Sequence, residues 1–255
     1  MYARKAASPI KVKSRFCQVT LYLREVKNAC LNGWKRKDRS KIIYFTELPL
    51  ISQNFSVVER GCFKPAIWDD AMLERDEALA LVKKNISKKN VIYHMLAVEA
   101  LMRALARYFG EDEELWGLVG LLHDIDYEKT ENTPEKHSFL AEDTLKGLVQ
   151  QEVIRAIKTH NHPYTHVMPE TRMEKTLIAS DAMSGLLVAC ALVMPSRKLA
   201  DVKVETIAKK FKDKDFARGA DRERIAVCEQ IGIPKCKFFE ICLEGLKPMA
   251  SQIGL

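Results

Sequence analysis

Apolar residues recur with helical spacing through most of residues 72–255. The pattern is clearest from Asn90 to Tyr108, where apolar side chains and His94 follow i, i+3, i+4 and i+7 spacing. A half-buried strand would need strict alternation of apolar and polar residues, and this part of the sequence has no convincing example. The spacing therefore predicts an all-α fold for residues 72–255.

The predicted helices have recognisable start and stop signals. Gly110 is placed to end the second helix, and Asp112 is placed to begin the third with acidic residues in its first turn. Pro195 stops a long helix that begins at Arg172. We expect helices over 74–84, 90–108, 112–122, 134–148, 150–159, 172–192, 200–212, 221–231 and 235–253.

The basic charge of the chain belongs to its first 71 residues. These contain 14 Lys and Arg against six Asp and Glu, whereas the formal net charge of the whole chain is +7. The overall basicity therefore gives no reason to expect a specific nucleic-acid partner for the remainder. We interpret residues 1–71 as a poorly structured basic extension and residues 72–255 as the folded domain. A small domain, a leader or an upstream start ahead of Met72 stays open for the first segment.

The cysteines do not indicate a disulfide framework or a thiolate zinc site. Their number is odd and no pair has CxxC spacing. We expect scattered reduced thiols in a cytoplasmic protein. No apolar run reaches the roughly 18 to 20 residues that span a bilayer, so we expect no membrane association. The cysteines are Cys17, Cys30, Cys62, Cys190, Cys228, Cys236 and Cys242.

Six histidines lie between residues 94 and 166, and four of them fall on or beside apolar helical stripes. Two aspartates share such positions, and an unpaired buried carboxylate is costly. A bound cation is the simplest common explanation for all six side chains. Imidazole and carboxylate suit divalent Mn, Zn, Fe, Co or Ni better than Ca. The predicted ligands are His94, His123, Asp124, His137, His160 and Asp181.

Part of this set resembles the signature of the HD superfamily of metal-dependent phosphohydrolases: His94, then His123 and Asp124, then Asp181. The string Gly-Leu-Leu-His-Asp-Ile-Asp over 120–126 is similar to the HD-containing helix end of HDIG-type members. The resemblance covers about residues 89–189 and implies an HD-type helical bundle.

The resemblance also implies a reaction. His137 and His160 match the two extra histidines of the binuclear branch, so one or two divalent ions are expected, with Mg among the candidates. His123 and Asp124 would be catalytic, and a metal-activated water would cleave a nucleotide or another small phosphorylated metabolite. The Gly-Tyr-Pro element of the cyclic-dinucleotide phosphodiesterases is missing at 159–163, which disfavours that substrate. An HD-fold di-iron oxygenase and a non-catalytic nucleotide or metal sensor stay open, and the oligomeric state is unknown.

The signals at the other candidate residues are weaker. His162 is either a ligand, a proton donor or a rim residue, and His166 is expected at the surface. Asp126 and Glu128 either orient a bound water or cap helices. A basic run either contains a phosphate clamp or forms a solvated helix face. The run comprises Lys209, Lys210, Lys212, Lys214, Arg218, Arg222 and Arg224.

Overall fold

The computed structural model describes residues 73–255. The chain divides into two units between Ala66 and Ile67, and the described residues belong to the second. The interpretation of residues 1–71 as a basic extension lies outside the described residues and stays a prediction. Within 73–255 the regular structure is helical, apart from an isolated bridge between Lys146 and Val149. The predicted all-α fold class is confirmed.

The elements of the described part of the chain are as follows. The α-helices are α1 (Arg75–Asn85), α2 (Lys89–Phe109), α3 (Glu113–Leu122), α4 (Tyr127–Thr130), α5 (Phe139–Leu145), α6 (Gln151–His160), α7 (His162–Thr165), α8 (Arg172–Leu192), α9 (Val204–Lys212), α10 (Arg222–Ala226) and α11 (Lys235–Leu246). The 3-10 helices are Pro134–Lys136, Leu199–Asp201, Val227–Ile231 and Lys247–Ile253.

The start and stop signals act as expected. Gly110 follows α2 with a φ of 70°, a left-handed conformation that costs glycine little. The Asp112 side chain accepts hydrogen bonds from the backbone N–H groups of Glu114 and Leu115 at 2.9 and 3.0 Å, which caps α3. α8 ends at Leu192, shortly before Pro195, as the sequence predicted.

Several predicted helices are interrupted rather than continuous. The segment over 134–148 is a 3-10 turn followed by α5, with Ser138 between them at a φ of 71°. The last segment changes from α11 to a 3-10 helix, where Pro248 has no backbone N–H to donate. The chain is extended at Val202 and Lys203, which shortens the helix predicted over 200–212. The helix predicted over 221–231 becomes 3-10 after Ala226.

The core is built around α2 and α8. Both helices have 21 residues, and α2 packs against α3, α8 and α11. Within the described residues, α8 is the helix long and apolar enough to cross a membrane, but 67% of its most apolar window is buried inside the bundle. Burial of that extent is the behaviour of a core helix. The largest fully buried side chains of α2 are Met95, Leu101, Met102 and Leu105.

Gly120 lets α3 approach α2 very closely. A Cβ atom at this position would lie 2.9 Å from Glu99 Cα and 2.9 Å from the carbonyl oxygen of Val98, both on the backbone of α2. Real Cβ atoms do not approach backbone that closely, so a larger residue would force the helices apart. The close contact also fixes the distance between His123, which follows α3, and His94 on α2.

We predict that Gly120→Ala destabilises the fold. The added methyl group meets backbone that cannot rotate away, and overpacking of this kind costs about 1–3 kcal/mol. Thermal unfolding of the full chain should show a lower Tm. Gly185→Ala is the matched control, because Gly185 is exposed on α8 and its new Cβ would be 3.9 Å from Ala220 Cβ, an ordinary contact. That variant should be as stable as the parent or more stable, since alanine favours a helix by about 1 kcal/mol.

Candidate metal centre

The six predicted ligand residues converge from five separate segments of the fold. The helices determine where each side chain lies. His123, Asp124 and His160 lie at or just beyond the end of an α-helix. The six residues are His94 on α2, His123 and Asp124 after α3, His137 before α5, His160 at the end of α6 and Asp181 on α8.

The first group surrounds one oxygen of Asp124. His94 Nε2 lies 3.2 Å from His123 Nε2, and Asp124 Oδ2 lies 3.6 and 3.5 Å from these two nitrogens. These three side chains have the mutual spacing of ligands to one ion. Asp181 stands beside them, with Oδ1 at 3.2 Å from His94 Nε2 and 3.9 Å from His123 Nε2.

The second group surrounds the other oxygen of the same carboxylate. His137 Nε2 lies 2.9 Å from His160 Nε2, and Asp124 Oδ1 lies 3.2 and 3.5 Å from them. These three side chains also have the spacing of ligands to one ion. Asp124 therefore belongs to both groups and turns a different oxygen towards each.

Backbone carbonyls fix the tautomers of two of the histidines. His123 Nδ1 lies 2.8 Å from the carbonyl oxygen of Gly120, and His160 Nδ1 contacts the carbonyl oxygen of Ile157. A carbonyl oxygen can only accept, so each Nδ1 carries the hydrogen. The Nε2 atom of each ring is then the one that faces Asp124.

Side chains orient the other two histidines. Ser184 Oγ donates to the carbonyl oxygen of Asp181 at 2.8 Å, so it is an acceptor for His94 Nδ1 at 3.0 Å. His137 Nδ1 lies 2.8 Å from Asp126 Oδ1. A hydrogen-bond acceptor behind each ligand ring is the usual support of a metal-bound histidine.

The electrostatics of both groups of predicted ligands favour a positive charge bound next to Asp124. Burial lowers the pKa of His123 to about 4, which keeps this ring neutral. Burial also opposes the charged form of His137, but hydrogen bonds to Asp124 and Asp126 raise its pKa to about 10. Burial would raise the pKa of Asp124, yet the surrounding imidazoles hold it well below its usual range. The buried carboxylate is thus compensated by whichever cation is nearest, a proton or a metal ion.

The donor set fits divalent metal ions. Two imidazole lone pairs that face each other at 2.9 Å or 3.2 Å repel unless a cation or proton lies between them. Metal–nitrogen bonds of roughly 2.0–2.1 Å place neighbouring ligand atoms roughly 3–3.4 Å apart. The imidazole–imidazole spacings of 3.2 and 2.9 Å are close to this value, and the imidazole–carboxylate spacings of 3.2 to 3.6 Å reach slightly beyond it. The mixed nitrogen and oxygen donors suit transition metals.

Comparison with known proteins identifies this arrangement. Residues 91–185 match the family model for the HD domain. They form an HD domain. The match begins on α2 just before His94 and ends on α8 just after Asp181, so it includes all six residues.

One curated protein is similar to part of the chain. The chain is 32% identical over 144 residues to "Ribonuclease Y" of Protochlamydia amoebophila (strain UWE25). The alignment covers 54% of this chain, and the chain spans only 27% of that relative's length. No solved structure matches the chain.

The remaining histidines of the HD domain are outside both groups. His162 Nδ1 lies 3.2 Å from the carbonyl oxygen of Thr159, at the turn between α6 and α7. His166 is exposed and ends α7 with a φ of 57°. The expectation of a surface position for His166 is confirmed.

Asp126 and Glu128 act through backbone N–H groups. Asp126 Oδ2 accepts hydrogen bonds from the N–H groups of Ser138 at 2.8 Å and Ala141 at 3.0 Å, so it anchors the turn that carries His137. Glu128 accepts from the N–H groups of Ser87 and Lys88 at the start of α2. Both carboxylates hold the start of a helix, and Asp126 also orients a predicted ligand.

Two further residues that contact the predicted ligands were not predicted from the sequence as parts of the site. Ser184 supports His94, and its position three residues after Asp181 on the same helix is the signal that could have revealed it. Arg224 Nη2 donates to Asp181 Oδ2 at 2.7 Å, although it was considered only as one member of a basic run.

We predict that the purified protein binds two divalent ions per chain and that His160→Ala binds one. His160 belongs only to the second group, so the first group keeps its ligands when the ring is removed. Metal content after dialysis against Mn²⁺ would be measured by elemental analysis. His166→Asn is the control, because asparagine tolerates the left-handed conformation and the residue contacts neither group. Two ions in the His160 variant would contradict the assignment.

We predict that Ser184→Ala weakens the first ion more than the second. The hydroxyl accepts from His94 Nδ1, and loss of such a support costs about 10–100-fold in metal affinity. Calorimetric titration of metal-free protein with Mn²⁺ separates the two binding steps. Equal weakening of both steps would indicate a general loss of packing at the buried Ser184 instead.

Proposed function

We propose that the HD domain hydrolyses a phosphate ester with two divalent ions that share Asp124. The observation that carries the proposal is the orientation of this carboxylate, whose two oxygens face two different pairs of imidazoles. A carboxylate with one oxygen towards each pair is suited to bridge two ions. Bound divalent ions lower the pKa of a water molecule towards about 7 and polarise a phosphoryl oxygen.

The protein's own residues supply rigidity and access. Asp124 is 8% exposed, and its position is fixed by the end of α3 on α2. The side chains of His123 and His160 are 0% and 4% exposed, whereas those of His94 and Asp181 are 28% and 22% exposed. A substrate therefore reaches the centre from the side of His94 and Asp181. The buried His123 and His160 would hold the ions without being open to water themselves.

Phosphate chemistry suits this arrangement better than chemistry that needs an amino-acid nucleophile. Pairs of divalent ions are a recurring means of stabilising both the attacking and the leaving oxygen in displacement at phosphorus. The roles left to the side chains are then binding and orientation, and the six ligands with Ser184 and Asp126 provide these.

We propose a nucleotide or another small phosphorylated metabolite as the substrate. Residues 72–255 are close to neutral overall, so their net charge gives no particular attraction for a long nucleic acid. The similarity to a protein named for ribonuclease activity makes short RNA the second substrate to test.

The test is Asp124→Ala in a phosphate-release assay. Full-length protein loaded with Mn²⁺ would be screened for phosphate release from nucleotides and sugar phosphates. Short RNA would be assayed by the shortening of the strand, because cleavage of a phosphodiester releases no free phosphate. We expect the variant to lose at least about 100-fold in activity, because both ions lose their shared ligand. Circular dichroism should show that its helices are retained, since Asp124 has no apolar contact surface to lose.

His166→Asn should hydrolyse the same substrate at the parental rate. An Asp124 variant with near-parental hydrolysis at saturating metal would refute the role given to this residue. A parent that hydrolyses no phosphate ester but consumes oxygen when loaded with iron would replace the proposal with the di-iron oxygenase.

A further inference from the structure

Arg224 joins the metal centre from outside the matched HD region. It lies on α10, and its Nη2 donates to Asp181 Oδ2 at 2.7 Å. The other oxygen of the same carboxylate lies 3.2 Å from His94 Nε2. One carboxylate therefore separates the guanidinium group from the first group of predicted ligands.

The guanidinium of Arg224 has an unused donor. Among the described residues, no acceptor pairs with its buried Nε atom. Nε itself is closed to solvent, so an acceptor from solution would have to meet another nitrogen of the guanidinium group. The Arg224 side chain is 28% exposed, and its Nη1 atom donates to no acceptor among the described residues, so Nη1 is the donor open to an incoming anion.

The other assigned members of the basic run have partners of their own. Arg222 donates to backbone carbonyl oxygens, among them those of Ala217 at 2.8 Å and Phe216 at 2.6 Å, so it holds the turn before α10 together. Lys210 pairs with Asp213 at 3.5 Å, and Arg218 pairs with Asp215 at 3.4 Å. Arg224 thus differs from these members of the run, because its partner, Asp181, is one of the predicted metal ligands.

We propose that Arg224 binds the phosphoryl group of the substrate beside the first ion, an inference that rests on the proposed function. The planar guanidinium can donate to Asp181 through one nitrogen and to a phosphoryl oxygen through another. It also lies at the edge of His94 and Asp181, which is the exposed side of the centre. An anion there would lie between two positive groups, the ion and the guanidinium.

A purely structural role for Arg224 makes a different prediction about metal binding. If the residue only orients Asp181, its loss should weaken the first ion. If it binds phosphate, its loss removes a positive charge beside the ions, so metal affinity should stay the same or rise while phosphate affinity falls.

The experiment compares Arg224→Gln and Arg224→Ala with the parent. Glutamine keeps an amide donor for Asp181 and removes the charge, whereas alanine removes both. Mn²⁺ would be titrated into metal-free full-length protein, and inorganic phosphate would be titrated into the Mn²⁺-loaded protein with Tm as the readout. Arg218→Ala is the control, because that side chain is 79% exposed and its ion-pair partner within residues 73–255 is Asp215.

We expect Arg224→Gln to bind Mn²⁺ as the parent does and to bind phosphate at least about tenfold more weakly. Arg224→Ala should lose phosphate affinity at least as strongly, and Arg218→Ala should lose none. Parental phosphate binding by the glutamine variant would overturn the proposal, as would an equal loss of Mn²⁺ and phosphate affinity. Phosphate binding is measured without turnover, so a parent with no hydrolytic activity would refute the proposed function and leave this inference testable.

Discussion

Asp124 lies between two pairs of imidazole rings whose Nε2 atoms all face it. The Nδ1 atoms of the buried rings donate outward to carbonyl oxygens, which leaves lone pairs and a carboxylate facing one another in a largely dry space. Such an arrangement is unstable by itself, because the nitrogen lone pairs and the carboxylate are all electron-rich and lie about as close together as the ligands of one metal ion. The surrounding structure is organised to keep that arrangement in place, and a cation relieves the repulsion.

The scaffold fixes this centre through backbone geometry rather than through long side chains. Gly120 allows α3 to lie on the backbone of α2, which sets the spacing between His94 and His123. In the second group, Ser138 adopts a left-handed conformation directly after His137, and Asp126 accepts a hydrogen bond from the Ser138 N–H. A non-glycine residue with positive φ is uncommon and is maintained only where its surroundings determine it. Both features place a histidine where regular helix alone would not.

The sequence predicted the long helices well and the short ones poorly. α2 and α8 each have a continuous apolar stripe and clear end signals, so their bounds agree within a residue. The interruption at Ser138 is held by tertiary contacts, the hydrogen bonds from Ser138 and Ala141 to Asp126, which no local pattern contains. The six candidate ligands could be chosen because inward-facing polar residues are rare in apolar stripes. Their division into two groups around Asp124 could not, since it depends on which helix ends meet in space.

Arg224 illustrates why charge in a sequence is difficult to interpret without a fold. It belongs to a run in which neighbouring basic residues pair with local acids or with backbone carbonyls, and nothing in its spacing separates it from them. What distinguishes it is a single bond to Asp181, at the exposed edge of the centre. Two divalent ions would bring more positive charge than Asp124 and Asp181 neutralise, and Arg224 adds to the excess. A centre with that balance attracts an anion to its exposed side, and a phosphoryl group carries the charge and the acceptor oxygens that Arg224 and the ions require.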